Sequence, residues 1–182
     1  MTYYHFAELI HRQAAKYGNR TALKYRDDAT GKWSKISWIQ FAENVRLTAE
    51  AMADSGIGVQ ENIGMYSQNM PQCLYTSFGA YANRIVDIPM YATSSPAQVA
   101  YIVKDALFVG EQLQYNNAWI VQKQLPNILR KLVVFDSSVR LNPEDKTSVY
   151  FDDFIRLGNN AHAESQVKIR TSQARPEDVA TI

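Results

Sequence analysis

The sequence predicts an α/β fold: a mostly parallel sheet flanked by helices, with a small N-terminal hairpin. Three observations carry this. From residue 62 onward, short apolar runs alternate with amphipathic segments. The connections between them are only a few residues long, which favours crossover helices and parallel strands. Helix starts are marked by Ser-x-x-Gln boxes, in which the serine and the glutamine each satisfy the other's backbone amide.

Residues 2–17 read as a helix with Phe6, Leu9, Ile10, Gln13 and Tyr17 on one face, closed by Gly18. Strand-like runs at 21–26 and 32–36 flank the polar Asp27-Asp28-Ala29-Thr30-Gly31, a hairpin pattern. Ser37 and Gln40 then open the clearest helix, whose stripe is Phe41, Ala42, Val45, Ala49 and Met52 and whose stop is Gly56. A strand at 62–67 follows. Asn69 is expected to cap the next helix, with Pro71 in its first turn, Gln72 at the box position and Leu74, Phe78 and Tyr81 facing the core. Residues 84–91 read as a strand, and Ser95, Pro96 and Gln98 start a helix through Val99, Ile102 and Val103.

That helix is expected to run on through Lys104-Asp105-Ala106 and to meet a strand at 107–109 with no turn residue between. An αβ connection ordinarily takes about two to six residues. The spacing therefore predicts that residues are missing between Ala106 and Leu107. Beyond lie a helix at 111–125, a strand at 132–135 and a short helix at 151–157. A polar, linker-like stretch at 158–178 leads into Val179-Ala180-Thr181-Ile182, which reads as the start of a strand.

Composition is that of an ordinary globular chain, with 46% hydrophobic and 20% charged residues. A net charge of +1 and no long Lys/Arg run argue against a nucleic-acid partner and a polybasic membrane patch. The first residues lack an apolar signal core, and the single Cys73 rules out an internal disulfide, so a cytoplasmic setting fits best.

Motifs for chemistry are sparse. Gly56-Ile57-Gly58 has Glu61 where a dinucleotide fingerprint needs its third glycine, and it follows a helix, so a helix stop explains it better. His5, His11 and His162 have no metal-ligand spacing. Cys73 reads as a small buried hydrophobe, Ser95 as a cap and Asp152-Asp153 as first-turn acids complementing a helix dipole. Tyr3, Tyr4, Tyr66, Tyr81 and Tyr91 are assigned to the core and its edge. No catalytic, cofactor-binding or metal residue is assigned.

Three segments resemble the AMP-forming adenylate synthetases, in the long-chain fatty acid–CoA ligase branch. They are Ile36-Ser37-Trp38-Ile39-Gln40-Phe41 with its helix and the following Glu61-Asn62-Ile63-Gly64-Met65-Tyr66-Ser67-Gln68-Asn69; the run from Gly79 to Ser95 holding Ile88-Pro89-Met90-Tyr91-Ala92-Thr93-Ser94-Ser95; and Arg175-Pro176-Glu177-Asp178-Val179-Ala180-Thr181-Ile182. The resemblance implies that 1–182 is an incomplete N-terminal α/β domain whose next segment would be a Ser/Thr/Gly-rich phosphate loop. Relatives also carry a handful more residues near Ala106. It further implies ATP, Mg2+ and coenzyme A as cofactors and a fatty acid as substrate for the full-length protein. The catalytic residues would lie beyond Ile182, and the chain alone would be inactive, self-associating through its open strand edge. Peripheral membrane contact stays open. Alternatives are a non-catalytic interaction or dimerisation module and an amino-acid adenylation fragment.

Overall fold

The structure is a computed structural model that describes residues 5–27, 30–103, 105–126 and 128–182. The expected helix start at Thr2, the packing of Tyr3 and Tyr4, the Asp28-Ala29 turn and the role of Lys104 lie outside these residues.

Helix α1 (Phe6–Tyr17) begins at His5, whose Nδ1 accepts from the Ala7 amide, and ends at Gly18. Strands β1 (Thr21–Arg26) and β2 (Trp33–Ser37) form the expected antiparallel hairpin. Ser37 then starts α2 (Trp38–Asp54) with the reciprocal Ser37/Gln40 box, and all five residues of the expected stripe are buried. Gly56, at φ 75°, provides the left-handed backbone that ends the helix region.

A parallel sheet follows, in the order β4-β3-β5-β6-β7. Its strands are β3 (Asn62–Tyr66), β4 (Val86–Met90), β5 (Ala106–Val109), β6 (Lys131–Val134) and β7 (Ser148–Tyr150). Their connections hold α3 (Pro71–Ala82), α4 (Pro96–Ile102) and α5 (Gln112–Gln124), and α6 (Phe151–Leu157) and α7 (Ala161–Ser172) come last. Alternation along the strands sorts side chains into two cores. Ile63, Met65, Phe108 and Val133 join Phe41, Tyr75, Phe151 and Phe154 on one face. Tyr66, Leu107, Val109, Leu132 and Val134 join Val99, Tyr115, Ala118 and Val121 on the other.

Several expectations are corrected. Met70, not Asn69, is the N-cap of α3, and no side chain caps it. The buried face of α3 is Tyr75, Thr76, Gly79, Ala80 and Ala82, while Leu74 is exposed, because small residues let α3 approach α2 closely. An added Cβ at Gly79 would lie 3.1 Å from the Ala49 backbone nitrogen. Phe6 and Tyr91 are exposed rather than packed inside. Arg84 is not a strand residue but a left-handed one, at φ 59°.

The helix from Pro96 stops at Ile102, Val103 is extended, and Ala106 already belongs to β5. Ala106 pairs with Ile63 and Lys131, and Leu107 with Gly64 and Leu132, so the strand runs unbroken through the place where residues were expected to be missing. An earlier helix end supplies the turn that seemed absent. The stretch 158–178 is no plain linker: it holds α7, which buries Ala163. At its end Thr181 bridges Asp87 in parallel, beside β4.

Candidate functional site

Strands β3 and β5 are neighbours, yet the helices that follow them go to opposite faces of the sheet. α3 joins the aromatic core and α5 the aliphatic one. Such a switch point opens a crevice at the C-terminal strand ends, the favoured ligand position in open parallel sheets. Here the crevice is bounded by residues 67–70 after β3, 91–95 after β4 and 110–111 after β5.

Gly110 closes the floor. Its amide donates to the Tyr66 carbonyl at 3.1 Å, and a Cβ there would reach within 2.7 Å of Gln68 Oε1. Ser67 Oγ donates to the Gln68 carbonyl at 2.8 Å and Cys73 Sγ to the same oxygen at 3.4 Å. Burial pushes the Cys73 thiol up, away from thiolate character. It is half-buried and hydrogen-bonded, a packing residue with a weak donor. Gln68 Oε1 and Gln72 Oε1 are buried oxygens without a protein partner.

The turn 91–95 is held from beneath. Tyr66, fully buried on β3, donates its hydroxyl to the Ser94 carbonyl and accepts from Asn117 Nδ2 at 2.8 Å. Gln114 Nε2 donates to the Ala92 carbonyl at 2.9 Å, and its own Oε1 accepts from the Glu111 amide. Ser95 closes the turn as the cap of α4, in the expected box with Gln98. An open groove of about 510 Å³ lies against this turn, lined by Pro89, Tyr91, Ala97, Gln98 and Tyr101 among others.

Sequence reasoning identified Ser95 as a cap and the turn as polar, but missed Tyr66, Gln114 and Asn117 as its supports. A signal existed: Gln114 and Asn117 are polar at helical spacing beside the buried Ala118 and Val121. Asp87 was also missed. It is 2% exposed, accepts from Ser77 Oγ at 2.6 Å through one oxygen and leaves the other unpartnered. Burial outweighs the serine bond and pushes its carboxyl up to about 6.

The three loops hold no Lys or Arg. Among the described residues no cluster of three or more His, Cys, Asp or Glu is placed to hold a metal ion. A magnesium triphosphate needs converging amides and cationic charge. The donor set at this edge does not fit one by itself.

A family model described as "AMP-binding enzyme" matches residues 10–182. A long-chain-fatty-acid–CoA ligase of Xenopus laevis is 23% identical over 180 residues, covering 96% of this chain and 23% of that protein. Long chain acyl-CoA synthetase 5 of Arabidopsis thaliana is 22% identical, covering 96% of this chain and 27% of that protein. 4-Hydroxybutyrate–CoA ligase 2 of Metallosphaera sedula is 30% identical over 119 residues, covering 63% of this chain and 20% of that protein. Among solved structures, an anthranilate CoA ligase in complex with anthranoyl-AMP superposes with a TM-score of 0.69 at 20% identity, over 85% of this chain and 28% of that one. Coronafacic acid ligase from Pectobacterium brasiliense gives 0.72 at 13% identity, over 84% and 29%. The chain thus spans about a quarter of the length of the relatives it matches.

Proposed function

Because the chain belongs to the AMP-binding enzyme family, we propose that it is the N-terminal scaffold of an ATP-dependent long-chain fatty acid–CoA ligase. The observation that carries the reading is the family match across residues 10–182. The long-chain assignment draws support from the Xenopus and Arabidopsis relatives. In the whole protein ATP with Mg2+ would activate a carboxylate as its adenylate, and coenzyme A would then take the acyl group as a thioester.

This chain's share of that work is positional. The sheet presents three loop ends at one edge, Gly110 keeps the crevice floor at backbone thickness, and Tyr66, Gln114 and Asn117 hold the turn 91–95. No charge-neutralising donor set stands here, and preorganised charge stabilisation is commonly the largest catalytic term. The 182-residue chain by itself is therefore inactive in this reading. Its setting is the cytoplasm, which the lone cysteine favours. No helix among the described residues is long and apolar enough to cross a membrane. Self-association through the outer edge of β4 belongs to the same reading, since an edge that is only partly paired invites strand addition; peripheral membrane contact is left to a vesicle-binding assay.

The 4-hydroxybutyrate relative, at 30% identity, favours a second reading in which the acid is short. One experiment addresses both. Calorimetry with ATP–Mg2+ on the chain alone should show no micromolar binding, and no pyrophosphate should be released with any acid. Joined in frame to the remaining length of a long-chain relative, the chain should support pyrophosphate release with palmitate above that with 4-hydroxybutyrate. Release by the chain alone overturns the scaffold reading, and the reverse preference overturns the long-chain one.

A further inference from the structure

Among the described residues, the only non-glycine residues with positive φ are Gln60 at 60° and Arg84 at 59°. Left-handed backbone is costly for such side chains, by about 1 kcal/mol or more each. Arg84 follows Asn83, the C-cap of α3, where glycine is the usual choice. Gln60 comes just before β3. The two residues touch: the Gln60 amide donates to the Arg84 carbonyl at 2.7 Å, and Gln60 Nε2 donates to the same oxygen at 2.9 Å.

Both side chains also reach the same distant segment. Arg84 Nε and an Nη donate to the two carboxylate oxygens of Asp178 at 2.7 and 3.0 Å, a fork-to-fork pair that is largely buried. One residue on, the Gln60 side-chain amide brackets Val179. Its Oε1 accepts from the Val179 amide at 3.0 Å, and its Nε2 donates to the Val179 carbonyl at 3.3 Å. Directly after this grip the chain meets the sheet. The Asp87 amide donates to the Ala180 carbonyl at 3.0 Å, and the Ile182 amide donates to the Asp87 carbonyl at 3.3 Å.

We propose that Gln60 and Arg84 form a register clamp, a pair of positioning residues that fix where residues 180–182 dock on the outer edge of β4. A parallel strand slipped by one residue turns every side chain to the wrong face. Residues 180–182 carry little to prevent that slip: Thr181 and Ile182 are exposed, and the small Ala180 is only half-buried. Register therefore has to be set from outside the strand. An amide bracket on Val179 and a bidentate carboxylate pair on Asp178 do so, at a spacing of two and three residues before Thr181. Side chains in left-handed backbone at both positions make sense on this account. Glycine would relieve the backbone but could not hold the segment. The clamp acts whatever acid the protein uses.

The test is site-resolved amide hydrogen exchange on the isotopically labelled chain, reading the Asp87 amide against the Leu107 amide inside β5. Arg84→Gly, Gln60→Gly and Asp178→Asn should each speed exchange at Asp87 by about tenfold or more while leaving Leu107 within about twofold. Arg84→Gly should do so without lowering Tm, because the backbone strain it relieves offsets the lost pair; a general structural role would lower Tm and speed both amides together. Arg84→Lys, which keeps charge but loses the fork, should fall between wild type and Arg84→Gly. If Asp87 exchange is unchanged in Asp178→Asn and Gln60→Gly, the edge sets its own register and the clamp is wrong. Parallel acceleration of Leu107 would also overturn it. Should Arg84→Gly not fold, the other two variants decide.

Discussion

The two faces of the central sheet are built on different principles. One is covered by α1, α2, α3 and α6 over an aromatic core, where Phe108 meets Phe154 edge-on and Phe135 meets Phe151 likewise. The other is covered by α4 and α5 over an aliphatic core that contains two buried tyrosines with hydroxyl partners. Tyr66 ties the turn 91–95 from below. Tyr115 accepts from the Asn142 amide and donates to Asp145, which in turn caps the approach to β7 through Ser148. The difference separates labour. Shape-driven packing holds the first face, and directional bonds on the second place the loops at the C-terminal edge. Damage to the first should be global, and damage to the second local.

The largest effect is expected where two backbones touch on the aromatic face. A Cβ at Gly158 would overlap the Ala51 nitrogen and the Glu50 carbonyl carbon, backbone atoms of α2 that cannot turn aside. Gly158→Ala should cost about 3 kcal/mol, the upper range for overpacking, or about 9 °C in Tm for a chain of this size. Thermal unfolding followed by circular dichroism measures it. A shift under 2 °C, within scan error for so large a clash, would mean that α6 is free to slide and that this face is not shape-locked.

A smaller effect comes from the polar exception on that face. Asp87 titrates at about 6 when folded and near 3.9 when unfolded. Between these values the native chain binds more protons than the unfolded one. Stability should therefore fall as pH rises from about 4 to about 6, by about 2 kcal/mol from this group. Glu43 and Asp178, held low by Arg46 and Arg84, act in the opposite sense. The decisive quantity is thus the difference between wild type and Asp87→Asn. Urea melts at pH 4, 5, 6 and 7 should show the variant gaining on wild type across that range. Parallel profiles would mean that the orphan oxygen is solvated and the face is less dry than its burial indicates.

What was legible in the sequence follows the range of the interaction that decides each feature. The starts at Ser37 and Ser95 were readable because a cap and its partner lie within four residues. The parallel sheet was readable because alternation and short connections leave few topologies. The buried face of α3 was not, since large apolar residues drew attention while Gly79, Ala80 and Ala82 make the contact. Helix α7 was hidden for a related reason. Only Ala163 on it is buried, and its anchors are polar and distant: Arg170 donates to the Ile57 carbonyl and to Asn83, and Thr171 to the Ala82 carbonyl. Three-residue β7 has too little pattern to announce itself. At the site, the polar turn was legible as local chemistry. Its supports were not, because Tyr66 and Asn117 lie 28 and 23 residues from Ser94.

The smallest expected effect tests the second face, and its size matters less than where it appears. Tyr66→Phe removes one hydroxyl that donates to the Ser94 carbonyl and accepts from Asn117. The ring stays, so the aliphatic core loses almost no volume. Asn117 Nδ2 already lies 3.4 Å from the Ser94 carbonyl and can move in to serve the acceptor left behind. The cost should therefore sit at the low end for a buried hydrogen bond, about 1 kcal/mol, or about 3 °C in Tm. If the tyrosine is a tether for the turn, the change should be concentrated there. Amides of residues 92–95 should exchange faster by more than global stability accounts for, while those of β5 and β6 follow the global change alone. Gln114→Leu, which removes the donor to the Ala92 carbonyl, should loosen the same amides. A uniform response along the chain would show the tyrosine to be packing with an incidental hydroxyl, and the division between a shape-locked face and a loop-placing face would fail.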